Sequence, residues 1–214
     1  MKPPILYIHG FASSGTSSKA TFIRAAFPQH AVYAPDLSHF PLQDFDFLSR
    51  LIQNHGIGTV IGSSLGGFYA LRLAMAYEVN LLMINPSLKP YLTLRDQLGT
   101  VSHNDGKSVF KWTEKNLAEL LYLATLIDPI ATAATSPTFD HLMHINWDRS
   151  LTLLGANDDR IDLDYTKRIL VNSKIIVDTN ADHRFANLTP HFPAIKELLD
   201  ITHFNGEGNN VCIE

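Results

Sequence analysis

The chain has 214 residues, 45% hydrophobic and 18% charged, with no composition break along it, and these figures fit one domain with a full core. Seventeen basic against 21 acidic residues give a net charge of −4 and no basic stripe of the kind that neutralises phosphate backbones, which argues against a nucleic-acid partner. The lone Cys212 excludes an intrachain disulfide and stands one place too late for a prenylation box, and no apolar run suits a signal peptide or a membrane span, so the expectation is a soluble, cytoplasmic protein.

In chain order, Ile5-Leu6-Tyr7-Ile8 is a short, β-rich apolar run stopped by His9-Gly10-Phe11, as expected of a strand buried on both faces. Residues 13–17 read as a loop and 18–27 as a helix ended by Pro28, and Ala31-Val32-Tyr33-Ala34 is a second strand closed by Pro35. Over 44–55 the residues Leu48, Leu51 and Ile52 recur at helical spacing, with Gly56 placed as a C-cap. Thr59-Val60-Ile61 is the third strand, followed by Gly62-Ser63-Ser64-Leu65-Gly66-Gly67 and a helix. Leu81-Leu82-Met83-Ile84, Leu151-Thr152-Leu153-Leu154 and Lys174-Ile175-Ile176-Val177 complete six strands, mostly separated by helix-length segments.

This alternation predicts an α/β fold: a mostly parallel six-stranded sheet flanked by helices, with its site at the carboxyl ends of the strands. The rhythm lapses over about 88–148. Within that insert 113–124 reads as an amphipathic helix carrying Leu117, Leu120, Leu121 and Ala124, so a partial helical cap over the site is expected. Helices follow over 162–171 and 190–201. The domain is taken as 1–204, and 205–214 as a disordered tail.

The chemistry centres on Gly62-x-Ser64-x-Gly66 between a strand and a helix, the spacing of a nucleophile elbow. A serine at such a sharp turn is forced into a poorly populated backbone conformation, and a Cβ two residues to either side would collide with a neighbouring element. The blander reading has two turn glycines and a serine that caps the helix. A serine hydroxyl also needs a base, and the imidazole that serves needs a carboxylate on its other nitrogen. His183 alone among ten histidines stands in the loop after the last strand and ahead of the terminal helix. Asp158, three residues past Gly155 at the usual offset of the hydrolase pattern, is taken as the acid, with its neighbour Asp159 the next candidate. For the oxyanion, the backbone amides of Leu65 and of Phe11 are in the right places, with His9 bracing the loop rather than reacting.

With His9-Gly10-Phe11-Ala12-Ser13-Ser14, the elbow, Asn85-Pro86-Ser87-Leu88-Lys89-Pro90 and Asp182-His183-Arg184-Phe185, the chain resembles the YqiA-like small α/β-hydrolases over about residues 5–187. The resemblance implies a lightly capped serine esterase whose sheet lacks the first two strands of larger relatives. It carries the nucleophile onto Ser64, the base onto His183 and the acid onto the Asp158-Asp159 pair. The segment 136–149 departs from the family pattern. Its His141-x-x-His144 has metal-like spacing but no acidic or cysteine partner, so it reads as structural, and neither metal nor cofactor is expected.

Three other readings compete with an esterase. Lys89, Arg95, Lys107, Lys111 and Lys115 could meet the phosphates of a coenzyme A thioester, or form a solvated basic face. The glycine loop after the first strand resembles a phosphate loop but has Thr16 where the motif needs lysine. A binding protein on a hydrolase scaffold would have lost a competent residue somewhere in the site, and none is missing. The expectation is therefore an esterase acting on a small-molecule ester or thioester.

Overall fold

The computed structural model describes residues 2–125, 142 and 145–201. Its centre is a six-stranded sheet of β1 (Lys2–Ile8), β2 (His30–Tyr33), β3 (Thr59–Ser63), β4 (Asn80–Ile84), β7 (Ser150–Asn157) and β8 (Lys174–Asp182). The strands run in the order β2-β1-β3-β4-β7-β8, and every pairing is parallel. All six expected strands are present. The order reverses at β1, whose neighbours are β2 and β3, so a crevice opens past the carboxyl ends of β1 and β3.

Alternation along the strands divides the core. Leu6 and Ile8 of β1 face one side, with Val60, Leu81 and Met83, and pack on α2 (Pro41–His55), α3 (Leu65–Ala76), α5 (Glu114–Ala124) and α6 (Leu163–Ile169). Ile5 and Tyr7 face the other, with Ile61, Leu82, Ile84, Leu151 and Leu153, and pack on α1 (Ser18–Ala26) and α7 (Phe192–Asp200). A strand buried on both faces reads as a continuous apolar run, which is why these were legible. Each fully buried aliphatic or aromatic side chain stabilises the fold by about 1.5–3 kcal/mol. Gly56 ends α2 in the left-handed conformation, at φ +59°, where a Cβ is costly.

Several boundaries differ from expectation. α2 begins at Pro41 rather than Asp44, because proline at the first helical turn gives up an amide that has no intrahelical partner anyway. β7 and β8 continue beyond Leu154 and Val177, to Asn157 and Asp182. Past the buried Gly155 their extensions hold small or polar residues, mostly exposed and held by backbone pairing that leaves no apolar pattern, and Asn157 pairs with Asp182. Gly155 permits this approach, since a Cβ there would stand 2.6 Å from the Ala181 carbonyl oxygen.

The insert holds more than a helix. α4 (Pro90–Thr93) is followed by an antiparallel hairpin of β5 (Gly99–Ser102) and β6 (Val109–Trp112), and then by α5 with a Thr113–Asn116 capping box. The insert thus carries the expected helix, as α5, together with a hairpin. Its turn is closed by the His103 amide donating to the Ser108 carbonyl at 2.9 Å, with Gly106 at φ +67°. The His141 and His144 pair and the tail 205–214 lie outside the described residues.

Candidate active site

The expected catalytic residues stand at or just past carboxyl ends of the sheet. Ser64 follows β3, Asp158 follows β7, His183 follows β8, and His9-Gly10-Phe11 follows β1. Because Asn157 and Asp182 are register partners, Asp158 and His183 leave the sheet side by side. That explains how groups 25 residues apart meet.

Ser64 has φ +54° and ψ −118°, a region L-residues rarely occupy. The two flanking glycines are sterically required. A Cβ on Gly62 would lie 2.1 Å from the Gly66 carbonyl oxygen, and one on Gly66 would lie 2.0 Å from the Ile8 carbonyl oxygen. Gly67 lies against Pro86, where a Cβ would come within 2.8 Å. Although Ser64 occupies the N-cap position of α3, its side chain makes no capping hydrogen bond. The hydroxyl instead donates to His183 Nε2 at 3.1 Å.

The other imidazole nitrogen, Nδ1, lies 2.8 Å from Asp158 Oδ2 and 3.0 Å from Oδ1. A carboxylate only accepts, so Nδ1 carries the proton and Nε2 presents a lone pair to the serine. The Asp158 carboxylate is fully shielded from solvent, and its Oδ1 also accepts the amides of Arg160 at 2.8 Å and Ile161 at 3.2 Å. Asp159 is exposed. Of the two sequence candidates, Asp158 is the one on the histidine.

Leu65 is the first residue of α3, and Phe11 lies in the loop after β1. Among the described residues neither amide donates to a protein acceptor, and a first-turn helix amide has none within its own helix. Gly10 brings that loop against the nucleophile, its missing Cβ leaving 3.9 Å to Ser64 Oγ. His9 is buried. Its Nδ1 donates to the Gly10 carbonyl at 2.8 Å, its Nε2 accepts the Leu37 amide at 3.2 Å, and burial pushes its pKa down, which keeps the ring neutral as a brace.

The hairpin, absent from the sequence reading, packs on this loop. Phe11 makes edge contacts with Phe110, 5.4 Å between centroids, and with Trp112, 4.9 Å. The Asn104 amide donates to the Ala12 carbonyl at 2.8 Å. His39 stacks on Phe110 at 3.6 Å, its Nε2 is 3.2 Å from His103 Nε2, and burial together with the neighbouring His103 lowers its pKa to about 4. The signal for the hairpin was Asn104-Asp105-Gly106 between Thr100-Val101 and the β-rich Val109-Phe110-Lys111-Trp112.

The basic residues of the insert are spread out. Lys89 Nζ sits 3.5 Å over the Tyr165 ring, Lys115 pairs with Glu119, and Lys111 lies with Thr100 on the exposed side of the hairpin. Among the described residues no cluster of three or more histidine, cysteine or acidic side chains has metal-site geometry.

A parallel sheet with helices on both faces, and a strained serine on the strand-to-helix turn after β3, define the α/β-hydrolase fold. Alpha/beta hydrolase domain-containing protein 10 from mouse superposes with a TM-score of 0.65 at 17% identity, over 94% of this chain and 90% of that one. A pyrethroid hydrolase from Sphingobium faniae JZ-2 superposes with a TM-score of 0.57 at 16% identity, over 94% and 98%. Within that fold the chain belongs to UPF0227, an uncharacterised protein family whose pattern matches residues 4–200. The UPF0227 protein YcfP of Salmonella gallinarum is 23% identical over 210 residues, covering 90% of this chain and 96% of the relative. The family agrees with the YqiA-like resemblance of the motifs.

Proposed function

We propose that this chain is a serine hydrolase that cleaves carboxylic esters of small molecules through an acyl-enzyme. The observation that carries the reading is the Ser64 hydroxyl on His183 Nε2 at 3.1 Å, with the Asp158 carboxylate on Nδ1 at 2.8 Å. Ser64 Oγ attacks the ester carbonyl carbon while His183 takes its proton, and Asp158 holds the ring in the tautomer that can accept it. The Phe11 and Leu65 amides receive the oxyanion, each such donor contributing about 3–4 kcal/mol to the barrier reduction. Collapse expels the alcohol, protonated by His183. Water, deprotonated by the same histidine, then attacks the acyl carbon and returns Ser64 with release of the acid.

General acid–base transfer of this kind contributes about 10²–10⁴-fold. The pyrethroid hydrolase among the structures of the same fold supports hydrolysis of a small molecule as the reaction. The roles of Ser64, His183, Asp158, Phe11 and Leu65, the extent of the domain as 1–204, and the cytoplasmic location are part of this proposal. Among the described residues no helix is long and apolar enough to cross a membrane.

The test is turnover of p-nitrophenyl acetate, butyrate and octanoate by the wild type and Ser64→Ala. Wild-type turnover that disappears in the folded variant supports the reading, and the chain-length trend sizes the acyl pocket. A folded wild type that turns over none of them favours the binding-scaffold alternative.

A further inference from the structure

Asn85 follows β4 directly, at φ +44°, and is fully buried. Its side chain spends every hydrogen-bonding group on the two loops that carry Asp158 and His183. Nδ2 donates to the Asp182 carbonyl at 2.8 Å and to the His183 carbonyl at 3.2 Å. Oδ1 accepts the Gly155 amide at 2.7 Å, and the Asn85 backbone amide donates to the Leu153 carbonyl at 2.9 Å. β7 is thus gripped just before Asp158, and β8 at His183 itself. Asparagine is the neutral side chain that offers two donors and an acceptor on one planar group and tolerates a left-handed backbone.

We infer that Asn85 is a positioning residue that sets the spacing between Asp158 and His183, and with it the aim of the imidazole at Ser64. Asn85 belongs to neither β7 nor β8, yet its one side chain bonds to both of these strand ends. The inference rests on reading Ser64, His183 and Asp158 as the reacting set, but the geometry it describes is measurable without turnover. An aspartate at this position would turn an oxygen toward two carbonyl oxygens and push the His183 loop away.

The experiment uses Asn85→Gly, which keeps the backbone conformation and removes only the clasp, with Asn85→Asp as a second variant. The control is Asn80→Ala. Asn80 is the buried amide at the opposite end of β4, bonded to the Leu198 carbonyl and to Arg149, and its loss costs stability away from the site. Each is assayed well below its melting temperature for kcat and KM on p-nitrophenyl acetate, and for the downfield proton resonance of His183 Nδ1–H. Misplacement by about 1 Å costs on the order of 10²-fold. The expected result is a kcat lowered about 100-fold, a KM within about twofold and a lost or shifted resonance in the Asn85 variants, with both kcat and resonance kept in Asn80→Ala. Wild-type kcat and an unmoved resonance in folded Asn85→Gly overturn the inference. If the wild type has the resonance but no turnover, the hydrolase proposal fails, and loss of the resonance in Asn85→Gly still supports the positioning role.

Discussion

Alanine at Gly66 and at Gly10 separates fold from chemistry within a few ångströms. Gly66 is the second residue of α3, where helix propensity alone makes alanine about 1 kcal/mol better than glycine. The added Cβ, however, would lie 2.0 Å from the Ile8 carbonyl oxygen, 2.6 Å from the Ile8 carbonyl carbon and 2.7 Å from the His9 carbonyl oxygen. All three are backbone atoms of β1 and its exit, so no side chain can swing aside. Either α3 or β1 must move by about 1 Å, and overpacking a core by a single carbon costs roughly 1–3 kcal/mol or more. With three rigid contacts the clash outweighs the propensity gain, and Gly66→Ala is expected to lose about 3 kcal/mol net. At roughly 2–4 °C per kcal/mol for a chain of this size, the melting temperature falls by about 6–12 °C.

Gly10 is the contrasting case. Its added Cβ would meet the Ser63 carbonyl oxygen and Ser64 Cβ, both at 3.3 Å, which small adjustments accommodate, but it also stands 3.9 Å from Ser64 Oγ, where the acyl carbon has to arrive. Gly10→Ala should melt within about 2 °C of wild type yet lose about 10²-fold or more in kcat/KM. Calorimetry and p-nitrophenyl acetate kinetics on both variants decide it. A Gly66→Ala protein as stable as wild type, or a Gly10→Ala protein with undiminished activity, would refute the steric argument.

Asp158→Asn removes the acceptor that fixes the His183 tautomer and should lower kcat about 10³–10⁴-fold, whereas Asp159→Asn, at an exposed carboxylate, should stay within about twofold on the same ester. Phe110→Ala releases the ring packed on Phe11, so kcat should fall by about an order of magnitude with KM less affected, and equal changes in both would count against a link between hairpin and oxyanion amide. His39 is held down to about 4 by burial, by His103 and His9, against the opposing pull of Asp36. The folded state therefore refuses a proton that the unfolded chain accepts below about pH 6.5, and stability is lost as pH falls from there toward 4. Thermal melts at pH 7 and pH 5 should show a larger drop for wild type than for His39→Asn, and parallel drops would contradict this.

The residues of the site were readable because sterics and chain order constrain them. Only glycine fits two places either side of Ser64, and a serine, an acid and a histidine past successive strands are an arrangement with few alternatives. The choice of Asp158 over Asp159 rested on loop offset alone. It depends on where β7 ends, and the polar extension through Ala156 and Asn157 is held by backbone pairing with β8, which no apolar pattern announces. The six core strands carried their signal in continuous apolar runs, while β5 and β6 alternate Val101 and Phe110 inward with Thr100 and Lys111 outward over only four residues each. Asn85 was visible as a polar residue closing an apolar strand. Its role depends on two carbonyls nearly a hundred residues away, and only the folded sheet brings them together.

The central claim is that Ser64 is a nucleophile activated by His183. Its most direct test is labelling of the folded protein with a fluorophosphonate, with the adduct located by mass spectrometry of the peptide spanning β3 and α3. The account predicts a single adduct on Ser64, absent in Ser64→Ala and formed at least about 10²-fold more slowly in His183→Gln. A folded wild type that takes no label, or a Ser64→Ala protein that labels as fast as wild type, would contradict it.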